Sequence, residues 1–261
     1  MSLDKAKMRT APILEVVEHA PALASLWTEQ LFEVEPGQFV NVWIPGLDEK
    51  PFSVSDLSKG RMELTVKGIG PFSRRLASMK PGERLGLRGP FGHGFSLTDD
   101  SLLVAGGTGL APIRFLARRL AARALAYRLA IGVRSKADLI FPAEWSDARL
   151  SSDDGTLGTR GLVTSVMEQL IAERRPKLVC AAGPEPMLVA VREIATRLGL
   201  SFELSFERYM KCGFGICGQC CLDGTGLRVC TEGPVLKRKD LEGVTDLGLP
   251  HRTASGRRGT R

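Results

Sequence analysis

The sequence predicts an all-β first part of barrel or sandwich type, then an α/β domain built on a parallel sheet, then a small cysteine-rich lobe. Three observations predict it. Short alternating runs separated by turn signals fill the first ninety-odd residues, strand-like and helical runs alternate from about Ser101, and five of the six cysteines fall between Cys212 and Cys230. The expected boundaries are 8–98, 99–206 and 207–240, with 241–261 as a flexible tail.

The β part rests on residues 13–17, 38–44 and 62–66, which alternate and carry β-branched side chains. Glu35-Pro36-Gly37 and Lys80-Pro81-Gly82-Glu83 mark turns between such runs, and residues 72–78 read as one short helix. Short strands at this spacing suit a barrel or sandwich. In the second part, residues 102–105, 127–133, 178–181 and 202–206 read as strands. Residues 112–124, 162–173 and 185–198 read as helices. Strands alternating with helices imply crossovers and a parallel sheet. From Glu207 neither period persists, and glycine and cysteine dominate.

The chain has 261 residues, 43% of them hydrophobic, enough for two ordinary cores. The net charge of +7 is scattered and partly carried by the Gly/Ser/Thr/Arg-rich residues 251–261. A nucleic-acid binder would gather basic residues with aromatics on one face, so no nucleic-acid partner is expected. No run approaches the ~20 apolar residues of a membrane helix. Met1-Ser2-Leu3-Asp4-Lys5 begins no apolar signal segment. A cytoplasmic protein without membrane association is therefore expected, and in a reducing compartment clustered cysteines are metal ligands or redox groups more readily than disulfides.

Cys212, Cys217, Cys220 and Cys230 follow the pattern C-x4-C-x2-C, then nine residues, then C. The first part is the spacing of plant-type [2Fe–2S] centres. Four thiolates must wrap a compact anionic core, and glycines at 213, 215 and 218 let the backbone turn tightly and aim N–H groups inward. A structural zinc site is the alternative, although it normally pairs two C-x2-C knuckles and only one is present. Cys221 and Cys180 read as non-ligands, with an exchange of Cys220 for Cys221 left open.

Two segments read as nucleotide turns. Gly106-Gly107-Thr108-Gly109 joins a strand to a helix that begins near Pro112, where a pyrophosphate could meet the helix N-terminus. Gly183-Pro184-Glu185-Pro186-Met187 follows a second strand in the same way. Two such turns at strand C-termini of one parallel sheet make a ligand crevice. In the β part, Lys50-Pro51-Phe52-Ser53 offers a cation and a hydroxyl. The stretch from Thr65, Val66 and Lys67 to Phe72 and Ser73 adds glycines, a hydroxyl and cations suited to a second pyrophosphate.

These motifs occur in an order that resembles the ferredoxin–NADP reductase superfamily. Within it the chain is similar to the electron-transfer subunits of NAD-dependent dihydroorotate dehydrogenases, over about residues 10–237. The resemblance implies a ferredoxin-reductase-like antiparallel barrel binding FAD, a parallel-sheet domain binding NAD, and a C-terminal [2Fe–2S] lobe. The family's R-P-x-S flavin motif matches Lys50, Pro51, Phe52 and Ser53, with lysine replacing an arginine fork. Thr65, Val66 and Lys67 match the segment beside the isoalloxazine, and Phe72-Ser73 matches a Gly-Thr at the pyrophosphate. Gly106, Gly107, Thr108 and Gly109, with Gly183, Pro184, Glu185 and Met187, match the nicotinamide-cofactor turns, one residue being inserted before Gly183. Cys212, Cys217, Cys220 and Cys230 match the cluster ligands, and Glu232-Gly233-Pro234-Val235 matches the segment after the last of them.

The resemblance further implies hydride exchange between nicotinamide and flavin, and single-electron exchange between flavin and cluster. The onward exchange is with an FMN-containing catalytic subunit that oxidises dihydroorotate in UMP synthesis, in an assembly of two chains of each kind. The cofactors supply the reactivity, so no catalytic acid or base is required, and His19, His93 and His251 sit in no catalytic pattern. Arg134, Ser135 and Lys136 stand where a 2′-phosphate would be read, and NAD is preferred from the resemblance only. Two other readings stand beside this one: the small subunit of an NADH-dependent ferredoxin–NADP reductase or sulfide dehydrogenase, and a non-enzymatic iron–sulfur or zinc adaptor that binds no flavin.

Overall fold

A computed structural model describes residues 3–250, 252–253 and 255–259. Six antiparallel strands close a barrel: β1 (Arg9–Ala20), β2 (Leu23–Glu29), β3 (Phe39–Ile44), β4 (Asp48–Ser58), β5 (Arg61–Lys67) and β6 (Arg84–Phe91), in the order β1-β2-β5-β4-β3-β6. The alternation seen in the sequence sorts the side chains. Val40, Val42, Ile44, Val54, Met62, Leu64, Val66, Leu85 and Leu87 fill the interior. Phe39, Asn41, Arg88 and Phe91 share the other parity. The short helix α1 (Pro71–Ala77) closes one end, with Phe72 and Leu76 buried.

β2, β4 and β6 were not anticipated as whole strands. Gly86, Gly89 and Pro90 interrupt the apolar pattern of β6, and Lys50 and Pro51 interrupt that of β4. Tertiary pairing overrides such local signals.

The second domain has a seven-stranded sheet. Its strands are β7 (Ser101–Gly106), β8 (Tyr127–Val133), β9 (Arg149–Ser152), β10 (Thr159–Arg160), β11 (Leu178–Ala182), β12 (Phe202–Ser205) and β13 (Val235–Lys237), in the order β10-β9-β8-β7-β11-β12-β13. Every residue of β7 and β11 is buried, as expected for parallel strands covered on both faces. Helix α2 (Leu110–Ala121) packs on one face, against Leu103, Ala105, Cys180 and Ala182. Helices α3 (Val163–Glu173) and α4 (Glu185–Arg197) pack on the other, against Leu102, Val104, Val179 and Ala181. The chain runs outward from β7 to β8, β9 and β10, then returns across β7 to start β11. The topological switch therefore lies between the C-terminal ends of β7 and β11, where open α/β sheets bind ligands.

Barrel and sheet share an interface. Phe115 of α2 joins the barrel's apolar cluster. Around it Arg114 binds Glu63 and Glu144, and Arg118 binds Asp56 and Glu144.

β13 is antiparallel to β12, with Ser205 opposite Val235. The cysteine-rich segment is thus an excursion between two strands of the same sheet. The stretch after it, expected as the end of a lobe at 240 and a flexible tail from 241, is anchored at several residues. Leu241 and Asp246 are buried, and Gly248 donates its N–H to Glu185. A three-residue edge strand and single anchoring residues carry no periodic signal. Further on, Arg252 and Arg258 both reach Asp223, while His251 lies outside the described residues. No helix among the described residues is long and apolar enough to cross a membrane.

Candidate functional site

The two glycine turns meet at the switch point. A Cβ at Gly106 would lie 2.6 Å from the Met187 sulfur and 2.9 Å from Pro184 Cδ, and one at Gly109 only 2.2 Å from the Ala182 carbonyl oxygen. Each turn therefore needs its glycines for the approach of the other. Beside them opens a cavity of about 440 Å³. Gly106, Gly107, Thr108, Pro184 and Met187 line it, and a Cβ at Gly107 would meet nothing within 4 Å, so ligand can approach the backbone there.

Three of the anticipated residues stand apart from this cavity. Gly109 and Gly183 are consumed by turn-to-turn packing. Glu185 is turned to Arg208, which donates from Nη1 at 2.6 Å with both side chains almost fully buried. Acid next to a helix start resembles a ligand-reading residue in sequence, but here it anchors the segment leading into the cysteine lobe.

The cavity also has a wall that sequence reading did not find. Leu162, Val163 and Thr164 begin α3, Gly132 and Val133 end β8, and Leu23 comes from the barrel. These are ordinary residues made important by position at strand ends. Arg134 lines the cavity as well. Lys67 closes it from the barrel side, paired with Asp138 at 3.6 Å.

On the barrel, Ser53 and Thr65 sit on adjacent strands. Thr65 donates its N–H to Ser55 Oγ at 2.7 Å, and its hydroxyl meets Ser25 Oγ at 2.9 Å, which in turn meets His19 Nε2 at 2.9 Å. Burial, followed by the charge of Arg114, pushes the His19 imidazole below its usual range. Val66 and Phe72 point their side chains into the barrel core, so only their backbone is available. Phe72 stacks on Phe52 with centroids 6.0 Å apart. The Ser73 hydroxyl caps α1 by accepting from the N–H groups of Ile69 and Gly70. A Cβ at Gly70 would meet nothing within 4 Å, which leaves the turn before α1 open to a ligand. Lys50 is engaged by Asp48 at 2.5 Å and lies over the Tyr209 ring. Pro51 is directly opposite Asn41 across the β3–β4 pairing, and Ser53 opposite Phe39.

The cysteines come together as two pairs. The Cys217 thiol and the N–H groups of Cys217, Phe214 and Ile216 lie on the side of the Cys212 sulfur that favours its thiolate. Burial opposes its ionisation, yet these donors prevail and lower its pKa to about 6. The Cys220 thiol meets that of Cys230 and receives the Cys230 N–H at 3.4 Å. This contact outweighs burial and brings Cys220 to about 7, while Cys230 is pushed up. Positive φ values at Gly213, Gly215 and Gly218 permit the winding. Among the described residues no three Cys, His, Asp or Glu side chains converge on one point suited to a single ion. Four thiols in one loop are the donor set that a centre of two irons takes, two to each iron. Cys221 belongs to neither pair and its thiol is pushed up by burial, while Cys180 is fully buried in β11.

Comparison with known proteins agrees with this layout. The family model described as the iron-sulfur cluster binding domain of dihydroorotate dehydrogenase B matches residues 207–242. That of the oxidoreductase NAD-binding domain matches residues 103–193. Among solved structures, a chain of the NADH-dependent reduced ferredoxin-NADP oxidoreductase superposes with a TM-score of 0.80 at 27% identity, covering 88% of each chain. A ferredoxin NADP+ reductase from Neisseria gonorrhoeae gives 0.64 at 18% identity, over 74% of this chain and 92% of that one. The fold is therefore ferredoxin-reductase-like. Two curated relatives are named probable dihydroorotate dehydrogenase B (NAD(+)), electron transfer subunit. That of Methanocaldococcus jannaschii is 36% identical over 94% of this chain and 96% of its own length. That of Methanothermobacter thermautotrophicus is 41% identical over 87% and 86%. Identity at this level along nearly the whole length settles the relationship: the chain belongs to the family of dihydroorotate dehydrogenase B electron transfer subunits.

Proposed function

We propose that this chain is the electron-transfer subunit of an NAD-dependent dihydroorotate dehydrogenase, working beside a separate catalytic subunit that carries FMN and oxidises dihydroorotate. FAD, NAD and a [2Fe–2S] centre supply the redox chemistry, converting a two-electron hydride exchange into one-electron steps. The rest of the work falls to this chain's residues. Gly106, Gly107, Thr108, Pro184 and Met187 bind the nicotinamide cofactor at the switch point, and Arg134 stands ready for its ribose or phosphate. Ser53, Thr65 and the backbone of Val66 orient the flavin on the outer barrel face, with Lys67 joining that face to the nicotinamide cavity. The turn at Gly70 and the first turn of α1 receive the flavin pyrophosphate. Cys212 and Cys217 hold one iron, Cys220 and Cys230 the other.

The observation that carries this reading is the position of the paired cysteines. Phe214 of their loop packs on Phe91 of the outer barrel face, beside the β3–β4 pair that carries Pro51 and Ser53. The nicotinamide cavity opens on the other side of the same barrel, at Leu23 and Lys67. Cysteines used as cluster ligands and not as disulfides suit a reducing cytoplasm. An assembly of two chains of each kind completes the proposal.

The test is the purified protein itself. Visible and EPR spectra should show bound flavin together with one two-iron centre per chain, and co-expression with the catalytic subunit should give a complex that contains FMN as well. A colourless protein, or one that retains a single zinc ion, would defeat the reading. The small subunit of a ferredoxin–NADP reductase has the same fold, but the higher identity to the dihydroorotate dehydrogenase relatives favours the first reading.

A further inference from the structure

A partly buried charged group on the outer barrel face touches the cysteine lobe and has no part in the binding roles above. Glu49 Oε1 accepts from Arg88 Nε at 2.5 Å and from Asn41 Nδ2 at 2.6 Å. Arg88 and Asn41 are direct partners across the β6–β3 pairing. The group is turned away from water: the Arg88 and Glu49 side chains are 14% and 22% exposed, and Asn41 is buried.

Each residue from Cys212 to Phe214 meets this group. Arg88 Nη2 donates to the Cys212 carbonyl oxygen at 3.1 Å. The Arg88 guanidinium lies over the Phe214 ring, 5.1 Å from its centroid. The Asn41 amide lies against Gly213, where an added Cβ would stand 2.8 Å from Nδ2. A surface ion pair of average kind would have no reason to reach three consecutive residues of a ligand loop.

We propose that Arg88, balanced by Glu49, is a positioning residue for the iron–sulfur centre. It holds the Cys212–Phe214 backbone in one position beside the Cys212 sulfur, and it sets the local charge that the centre meets when it takes up an electron. This rests on the cysteine assignment made above. One-electron reduction adds one negative charge and breaks no bond. A half-buried cation favours the reduced state, and a carboxylate beside it offsets part of that effect. The two side chains therefore pull in opposite directions on one equilibrium.

The test is an EPR-monitored redox titration of the full chain carrying its flavin and cluster, for wild type, Arg88→Met, Arg88→Lys and Glu49→Gln. Arg88→Met should make the cluster harder to reduce, and Glu49→Gln easier. Each shift should be at least ~3-fold in the reduction equilibrium, roughly 28 mV at 59 mV per decade. Glutamine can still accept both hydrogen bonds through its Oε1, so Glu49→Gln removes charge alone and carries the test if Arg88→Met fails to fold. Arg88→Lys keeps the charge and loses the fork, and should titrate between Arg88→Met and wild type. Opposite shifts support the proposal. Shifts of the same sign, or none, overturn it and leave a plain structural brace. A wild-type protein without any two-iron signal would instead defeat the cysteine assignment.

Discussion

Replacing Gly109 by alanine places a methyl group where the two nucleotide turns meet. Its Cβ would lie 2.2 Å from the Ala182 carbonyl oxygen and 2.5 Å from the Gly183 nitrogen. Both are backbone atoms, so no side-chain rotation relieves the contact. Ordinary non-bonded separations are roughly 3.5 Å, so one turn must retreat by about 1 Å. The φ of Gly109 is −61°, ordinary for any residue, and the effect is therefore steric. Overpacking of this kind costs about 1–3 kcal/mol. A displacement of about 1 Å in a positioned substrate can cost ~10²-fold in rate. Gly109→Ala should therefore lower kcat/KM for flavin reduction by NADH by ~10²-fold, with iron and sulfide content unchanged. Stopped-flow absorbance at varied NADH measures the first, and chemical analysis the second. Gly107→Ala makes a useful contrast. Its Cβ meets nothing within 4 Å, but φ is +52°, so it should show a stability loss of roughly 1–2 kcal/mol without forcing the two turns apart. Wild-type NADH kinetics in a folded Gly109→Ala protein would refute the placement of the nicotinamide site at these turns.

Other outcomes follow from the same geometry. Cys217→Ser should abolish the two-iron EPR signal while NADH still reduces the flavin at its normal rate, because the cysteine lobe and the cavity occupy different sides of the barrel. Loss of both in a folded protein contradicts that separation. Cys180→Ala should keep the whole signal, since Cys180 is fully buried in β11, apart from the paired thiols. Arg114→Met strips the partner from Glu63, whose pKa burial already raises despite Arg114. Urea unfolding should show a loss of roughly 3–5 kcal/mol, largely restored by adding Glu63→Gln. Glu144 supplies the pH dependence. Burial works against its ionised form, but Arg114 and then Arg118 outweigh that and hold its carboxyl below the ordinary 4.5. The folded state thus binds its proton less readily than the unfolded chain does. The stabilisation is present above pH 4.5 and is lost as pH falls through the depressed value. Glu144→Gln should flatten the decline in melting temperature below pH 4.5, and an unchanged slope would count against this pairing.

How much the sequence shows depends on how local each signal is. β7 and β11 are legible because strands buried on both faces must be apolar throughout, and helices α2, α3 and α4 because one face of each is. The cysteine spacing is legible because a small centre forces its ligands to be close in sequence. β6 is not legible, since Gly86 is held by pairing with β1 and β3 while Gly89 and Pro90 fall at a register shift of the β3 pairing. β13 is too short to have a period. In the candidate site the glycine turns are legible, whereas Leu23 and Leu162 reach the cavity only through the fold. Glu185 and Arg208 show what a local motif leaves out. A charged residue at a helix start reads as a ligand group, and only the fold shows the 2.6 Å ion pair that occupies it. Arg88 and Cys212 are 124 residues apart, beyond the reach of any local pattern.

The most direct test of the electron-transfer role is dihydroorotate-dependent reduction of NAD+, followed as NADH absorbance, with the FMN-containing catalytic subunit alone and again with this chain added. The catalytic subunit alone should form no NADH, and the two together should form it in proportion to dihydroorotate consumed. NADH formation without this chain, or none with it in a complex that holds flavin and cluster, would contradict the assignment.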